Sequence, residues 1–346
     1  MTIEVLTRAT GWYGNHSGYY ERLPACLTAS GINTRVTQPG ANWHHRAIGK
    51  MIAVARGLPD RNQSLTLAES IFLHRLRPNN ARGHVLAFES HIPMFSRRAS
   101  ALRRIVTTLH SPPELLTPAE KQALPGVAGA IVLYQRDLDY FVEKTGTDRI
   151  KFARHGVDTE FFRPAETRQG EEPRLVYVGQ FGRDTQQAER VIPRILELHP
   201  TLQIDVVIAQ KQFRDPALAS LDGHDRIEWH FGISDLALRD IYQHASMLFL
   251  PMRASGANNA IVEALASGLP IVTNDVGGIR DYGGGELFPV PAPNDDDGMI
   301  SLVEYWLSHD GKRREVGDRS RQFALDHLQW ADCARAHAQA YQELFN

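Results

Sequence analysis

Cysteine is scarce in this 346-residue chain: Cys26 and Cys333 are the whole supply. They stand in no CxxC or other metal-ligand spacing, which argues against both a disulfide framework and a zinc site. No apolar run approaches the roughly 18 residues that a membrane-spanning helix needs. The start of the chain lacks a charged end followed by an apolar core, so the expectation is a cytoplasmic protein with, at most, peripheral membrane contact. Short internal repeats and low-complexity tracts are missing. So are a Walker A loop and a GxSxG elbow. A dinucleotide-type GxGxxG belongs between the first strand and its helix, and GWYGNHSG does not supply it. No two acids stand out at strand ends as a glycosidase pair would. The run Asp295-Asp296-Asp297 reads as a solvated turn, so no metal ligand is assigned.

Charge of one sign is also lacking overall. The formal net charge of −2 advertises no nucleic-acid partner. Its distribution is uneven, however. Between Ala41 and His110 eleven Lys or Arg face three acids, Asp60, Glu69 and Glu89, a local balance of about +8. A basic surface of that kind can attract phosphates or anionic lipid headgroups; a solvated surface is the plainer reading.

What is present is an alternation. Short apolar runs of strand type fall at 3–6, 33–37, 84–88, 105–109, 130–133 and 151–153. After a break come 175–178, 204–208, 227–229, 246–250, 271–273 and 287–290. Amphipathic segments such as 135–144, 188–198, 235–244 and 258–266 lie between them. Strands alternating with helices imply parallel sheets of βαβ units. Two sets of about six imply an α/β protein of two doubly wound, Rossmann-like domains with a ligand cleft between them. The polar stretch 159–173, punctuated by Pro164, Gly170 and Pro173, reads as the linker. The expected division is 1–160, 161–328 and a final helix, 329–346, packing back on the first domain.

The richest segment is SMLFLPMRASGANNAIVEALASGLPIVTNDVGGIRDYGGG, residues 246–285. A strand ends near Pro251, a small-residue turn follows, and a helix begins near Asn258. The first N–H groups of a helix have no internal partners and sit at its positive end, a cradle for phosphate. Ser255, Gly256, Ala257, Asn258 and Asn259 line that turn, and Glu263 follows one turn later. A carboxylate there suits a pair of ribose hydroxyls. A plain strand–turn–helix with a solvated Glu263 is the bland alternative. Two histidines at strand ends, His110 and His91, are further candidates; for His110 the alternative is a surface residue at a strand end, and the place of His91 suggests acceptor contact.

The stretch SGANNAIVEALASGLPIVTNDVGGIRDY resembles the donor-binding signature of glycosyltransferase family four, in which one Glu precedes a second by eight positions. The second falls on Glu263. ARHGVDTEFFRP, residues 153–164, and RIEWHFGISDLALRDIYQHASMLFLP, residues 226–251, are similar to flanking segments of that family, in the same order. The resemblance implies a GT-B fold and retaining transfer of a sugar from a nucleotide-diphosphate sugar (UDP, GDP or ADP), with no metal and no other cofactor. It further implies that Gly14 and Gly18 lie near the donor phosphates or the acceptor, that His110 contacts the donor sugar, and that Arg183 neutralises the leaving diphosphate. Two departures stand out. Ser255 occupies the place of the first Glu, and Thr185 that of a customary Lys, with Lys211 as a substitute cation. Loops near Gln210 and His230 would read the base. The acceptor expected from family habit is a saccharide or lipid-linked saccharide of a bacterial surface polysaccharide. Rival readings are a sugar phosphorylase, a nucleotide-sugar epimerase and a non-catalytic binder of nucleotide sugars.

Overall fold

The computed structural model describes residues 2–8, 16–40, 42–58, 62–78, 80–96, 103–166 and 172–345, apart from the side chains of Lys211 and Gln212. The chain forms two compact units. The first comprises Met1–Tyr13, Gly18–Arg154 and Trp330–Asn346; the second comprises Gly14–Ser17 and His155–Gln329.

The first unit holds strands β1 (Thr2–Leu6), β2 (Asn33–Thr37), β3 (Arg82–Val85), β4 (Ile105–Leu109), β5 (Ala130–Val132) and β6 (Ile150–Phe152). Its helices are α1 (Tyr19–Ala29), α2 (Trp43–Ala55), α3 (Gln63–Arg75), α4 (Ile92–Phe95), α5 (Pro118–Ala123) and α6 (Leu138–Thr145). All six strands are parallel, in the order β2-β1-β3-β4-β5-β6. Parallel strands are covered on both faces, so their residues need no polar alternation; every residue of β4 is buried.

In the second unit, β7 (Arg174–Val178) and α7 (Thr185–Leu198) are followed by β8 (Gln203–Ile208), α8 (Pro216–Ala219), β9 (Ile227–Phe231) and α9 (Asp235–His244). Next come β10 (Met247–Leu250), α10 (Asn259–Ala266), β11 (Ile271–Thr273), α11 (Asp296–Ser308) and α12 (Asp310–His327). The parallel sheet runs β11-β10-β7-β8-β9. The expected twelfth strand, 287–290, is not one. Phe288 makes only an isolated bridge to Gly284, and Pro289 brings no N–H to a ladder. Nor is 159–173 a bare linker. Phe162 is buried in the second core, and Arg321 Nη1 donates to the carbonyls of Thr159 and Phe162 at 2.8 and 3.0 Å.

The last helix, α13 (Trp330–Phe345), belongs to the first unit and is held there by a buried polar chain. Donor roles follow from one fixed point. The Cys333 carbonyl can only accept, so His337 Nδ1–H donates to it at 2.8 Å and Nε2 accepts from the Tyr19 hydroxyl at 2.7 Å. Tyr19 has then spent its proton, so Thr108 donates to it at 3.0 Å, and His84 Nε2–H donates to Thr108 at 2.8 Å. The Tyr341 hydroxyl closes the chain on His84 Nδ1 at 2.6 Å. Both imidazoles are neutral in this arrangement. Burial accordingly lowers the His84 pKa well below the ordinary value and that of His337 to about 4.

Candidate functional site

In an open α/β sheet, ligands gather at the carboxyl ends of the two strands where the strand order reverses. For the second unit these are β7 and β10. The loops leaving them are zipped together: Asp184 N–H donates to the Pro251 carbonyl at 2.9 Å and Arg253 N–H to that of Gly182 at 3.1 Å. The β10 loop then delivers the chain to α10. Asn258 caps that helix, its Oδ1 accepting from Ala260 N–H at 3.1 Å. Ser255, Gly256, Ala257, Asn258 and Asn259 thus form the approach to one helix N-terminus, with Gly256 through Asn259 partly exposed.

Arg183 is drawn into this loop pair. The residue is 6% exposed, and its guanidinium donates to the carbonyls of Val178 (2.8 and 3.0 Å) and Phe181 (3.0 Å) and to Asn258 Oδ1 (3.2 Å). Burial pulls its pKa down, while Tyr177, Tyr242 and Glu263 pull it up. These acceptors are all neutral, so a cation sits beside the capping residue of α10 with charge to offer an anion. Thr185 is spent locally: its hydroxyl donates to Asp215 Oδ2 at 3.1 Å, which also accepts from Gln180 at 2.8 Å.

Glu263 is the one charged residue of a helix whose Ala260–Ala266 positions are all buried. Its Oε1 accepts from the Ser17 hydroxyl and its Oε2 from the Tyr242 hydroxyl at 3.0 Å. Desolvation still outweighs both bonds and pushes the pKa up to about 7. Ser17 is anchored in the second unit by its neighbour: the His16 ring stacks on Phe161 at 3.5 Å and its Nδ1 meets Asp158 Oδ2 at 2.9 Å. At the position of the family's first acid, the Ser255 hydroxyl turns back to the Gly256 carbonyl at 3.0 Å. The Ser255 carbonyl accepts from Gly278 N–H at 2.9 Å across a near-contact that only glycine allows. A Cβ on Gly277, where φ is +54°, would fall 1.6 Å from that oxygen.

In the first unit His110 follows β4. Its Nε2–H donates to the Leu86 carbonyl at 2.7 Å, and its ring meets Tyr19 edge-on at 5.0 Å. Burial lowers its pKa against the pull of Glu89. Glu89 Oε1 accepts from the backbone N–H groups of His110 and Ser111, both at 2.8 Å, and so fixes the loop. Gly18 immediately precedes α1. His91 is buried with Nδ1 on Glu69 Oε1 at 2.7 Å. Gly14 and the Lys211 side chain lie outside the described residues. Among those described, Asp205, Glu228 and His230 form the one cluster of metal-ligating types. Arg174 already occupies it, donating to Asp205 at 2.8 and 3.0 Å and to Glu228 at 3.0 Å.

Residues 172–309 match the family model described as glycosyl transferases group 1. The whole chain is similar to sucrose-phosphate synthase from Thermosynechococcus elongatus, with a TM-score of 0.75, 15% identity and 99% of each chain covered. It is also similar to Anabaena HepE, solved in complex with UDP-glucose: TM-score 0.73, 13% identity, 98% of this chain and 99% of that one. The fold is GT-B, and within it residues 172–309 are similar to group 1 glycosyltransferases. An MMP alpha-(1->4)-mannosyltransferase of Mycolicibacterium hassiacum is 24% identical over 194 residues, 54% of this chain and 47% of that protein. The chain therefore spans about half the length of that curated relative.

Within residues 172–309, the structure brings Arg183 to Asn258 and sets Glu263 on the helix that Asn258 caps. His110 and Gly18 belong to the other unit. Sequence reasoning missed Ser17, Tyr242, Asp184 and Glu89. Asp184 alone carried a local signal, as an Asp opening an amphipathic helix; its Oδ1 accepts from Gln187 N–H at 2.9 Å.

Proposed function

We propose that the protein transfers a sugar from a nucleotide-diphosphate sugar to an acceptor hydroxyl, with the nucleotide held by the second unit. The observation that carries this is the pairing of Arg183 with the Asn258-capped N-terminus of α10. Helix N–H groups and a guanidinium together suit a diphosphate, and they stabilise the charge that develops on it as it leaves. Glu263 would take the ribose hydroxyls in exchange for the Ser17 hydroxyl, and Gly256 lets the backbone approach the phosphates. Ser255, Asn258 and Asn259 offer neutral hydrogen-bonding groups toward the sugar.

The reaction is assigned as retaining: the acceptor attacks from the face the diphosphate leaves, and a diphosphate oxygen takes its proton. Such a scheme needs no protein nucleophile and no metal, and positioning supplies the catalysis. His110 would contact the sugar. The acceptor class is a saccharide or lipid-linked saccharide of surface polysaccharide synthesis, in the cytoplasm.

Incubation with labelled nucleotide sugars tests this. Free nucleoside diphosphate together with a glycosylated acceptor of unchanged anomeric configuration supports it, and turnover in EDTA supports the metal-free scheme. Interconversion of the nucleotide sugar, or sugar phosphate as product, would mean an epimerase or a phosphorylase. The neutral Ser255 favours one further reading, a binder without turnover. Donor breakdown no faster than in a Glu263→Ala, His110→Ala double variant would establish that reading.

A further inference from the structure

We propose that the exposed face of α2 is a docking surface for an anionic lipid bilayer. The helix is built inside out. Its buried residues are the small ones, Gly49 and Ala53. A Cβ on Gly49 would fall 1.9 Å from the backbone oxygen of Gln63, so α2 presses its backbone against the start of α3. Its large apolar residues face outward: Trp43 is 70% exposed, Met51 65%, Val54 57% and Ile48 42%.

At about 100° per residue these four share an arc of roughly 140° with the exposed Ala47, Ala55 and His44. A helix of a globular protein turns such an arc toward the core. Here the neighbouring helix adds another exposed apolar residue, Ile71. Large exposed apolar patches mark an interaction site.

Charge selects the partner. Arg46 and Lys50 are exposed along one border of the arc. No acid lies on α2, and the single acid of α3, Glu69, is buried against His91. The exposed surface of this helix pair therefore presents cations and apolar groups without a carboxylate among the described residues. A second copy of the chain would bring like charge against like. A bilayer with anionic headgroups meets both features at once: apolar side chains enter the acyl boundary and the cations meet the headgroups.

Co-sedimentation of the full chain with vesicles, without donor or acceptor, tests this separately from glycosyl transfer. Vesicles of phosphatidylcholine mixed with phosphatidylglycerol are expected to bind it at least about tenfold better than phosphatidylcholine alone, with the difference collapsing in high salt. Trp43 emission shifts to the blue on binding, and Trp43→Phe removes the shift. A Met51→Glu, Val54→Glu double variant loses about tenfold or more of the vesicle binding. Its thermal melt stays at the parent value, because both side chains are exposed. Equal binding by the double variant, or no binding of the parent at low salt, would overturn the proposal. So would a concentration-dependent dimer abolished by the same substitutions without vesicle binding, which would give this face to a second copy.

Discussion

Replacing Glu263 by Gln separates what this side chain does for stability from what it does for binding. The ordinary carboxyl loses its proton near 4.5, the folded one near 7, because burial disfavours the anion. Between those values the folded chain holds a proton that the unfolded chain has released. Stability therefore falls as the pH rises from about 4.5 to about 7, and is level above that. At 1.36 kcal/mol per pH unit the deficit reaches about 3 kcal/mol at pH 8. Gln reproduces the protonated acid, accepting from Tyr242 and donating to Ser17. Glu263→Gln should match the parent at pH 5 and exceed it by about 2–3 kcal/mol at pH 8. It should also lose about tenfold or more in nucleoside diphosphate affinity, since one amide oxygen cannot accept a pair of hydroxyls as a carboxylate does. Urea unfolding at pH 5, 6, 7 and 8 reads the first effect and calorimetric titration the second. A variant that keeps the parent's pH dependence would refute the buried-carboxylate reasoning.

His337 gives the opposite slope. Its folded pKa of about 4 lies below the ordinary 6.5, so its share of stability is present above about 6.5 and is lost as the pH falls toward 4. His337→Ala should cost about 3 kcal/mol at pH 7 by removing the acceptor of the Tyr19 proton and opening a cavity, and should flatten the acid limb of a Tm-versus-pH curve. Arg183→Ala removes the donor to the Val178 and Phe181 carbonyls and to Asn258, which should lower stability by about 2–4 kcal/mol in urea unfolding. The same change should weaken nucleoside diphosphate binding by about tenfold or more in calorimetric titration. Gly277→Ala should force the Ser255 and Gly277 loops apart, costing more than about 2 kcal/mol and weakening nucleotide binding in the same assays.

The strands could be read because parallel strands are unbroken apolar runs, and ten of the twelve candidate runs share most of their residues with observed strands. The run at 84–88 reads past the end of β3 into a short turn of 3-10 helix, Phe88–Ser90. The run at 287–290 is apolar for a different reason: Phe288 packs in the second core beside a proline that cannot pair. The stretch 159–173 is polar enough to read as a linker, yet Phe161 and Phe162 within it pack on the second core. No helix was assigned between 41 and 80, where α2 reverses the usual pattern with glycine inside and tryptophan outside. At the site, the turn, its capping Asn258 and Glu263 were legible because they are consecutive on one strand–turn–helix. Ser17 lies 246 residues from Glu263, and Tyr242 lies 21 residues away on another helix. Only the folded chain brings those hydroxyls to the carboxylate. Arg183 was visible as a cation in the loop after β7, but its bonds to Val178 and Phe181 depend on the loop's conformation.

Thermal unfolding in the presence of UDP, GDP and ADP at millimolar concentration shows whether the second unit holds a nucleoside diphosphate. Binding to the folded chain alone stabilises it by about 2.7 kcal/mol when ligand is at a hundred times Kd. At least one of the three should raise Tm by several degrees, and Glu263→Ala and Arg183→Ala should both reduce that rise. A parent protein whose Tm is unmoved by all three would contradict nucleotide binding by the second unit.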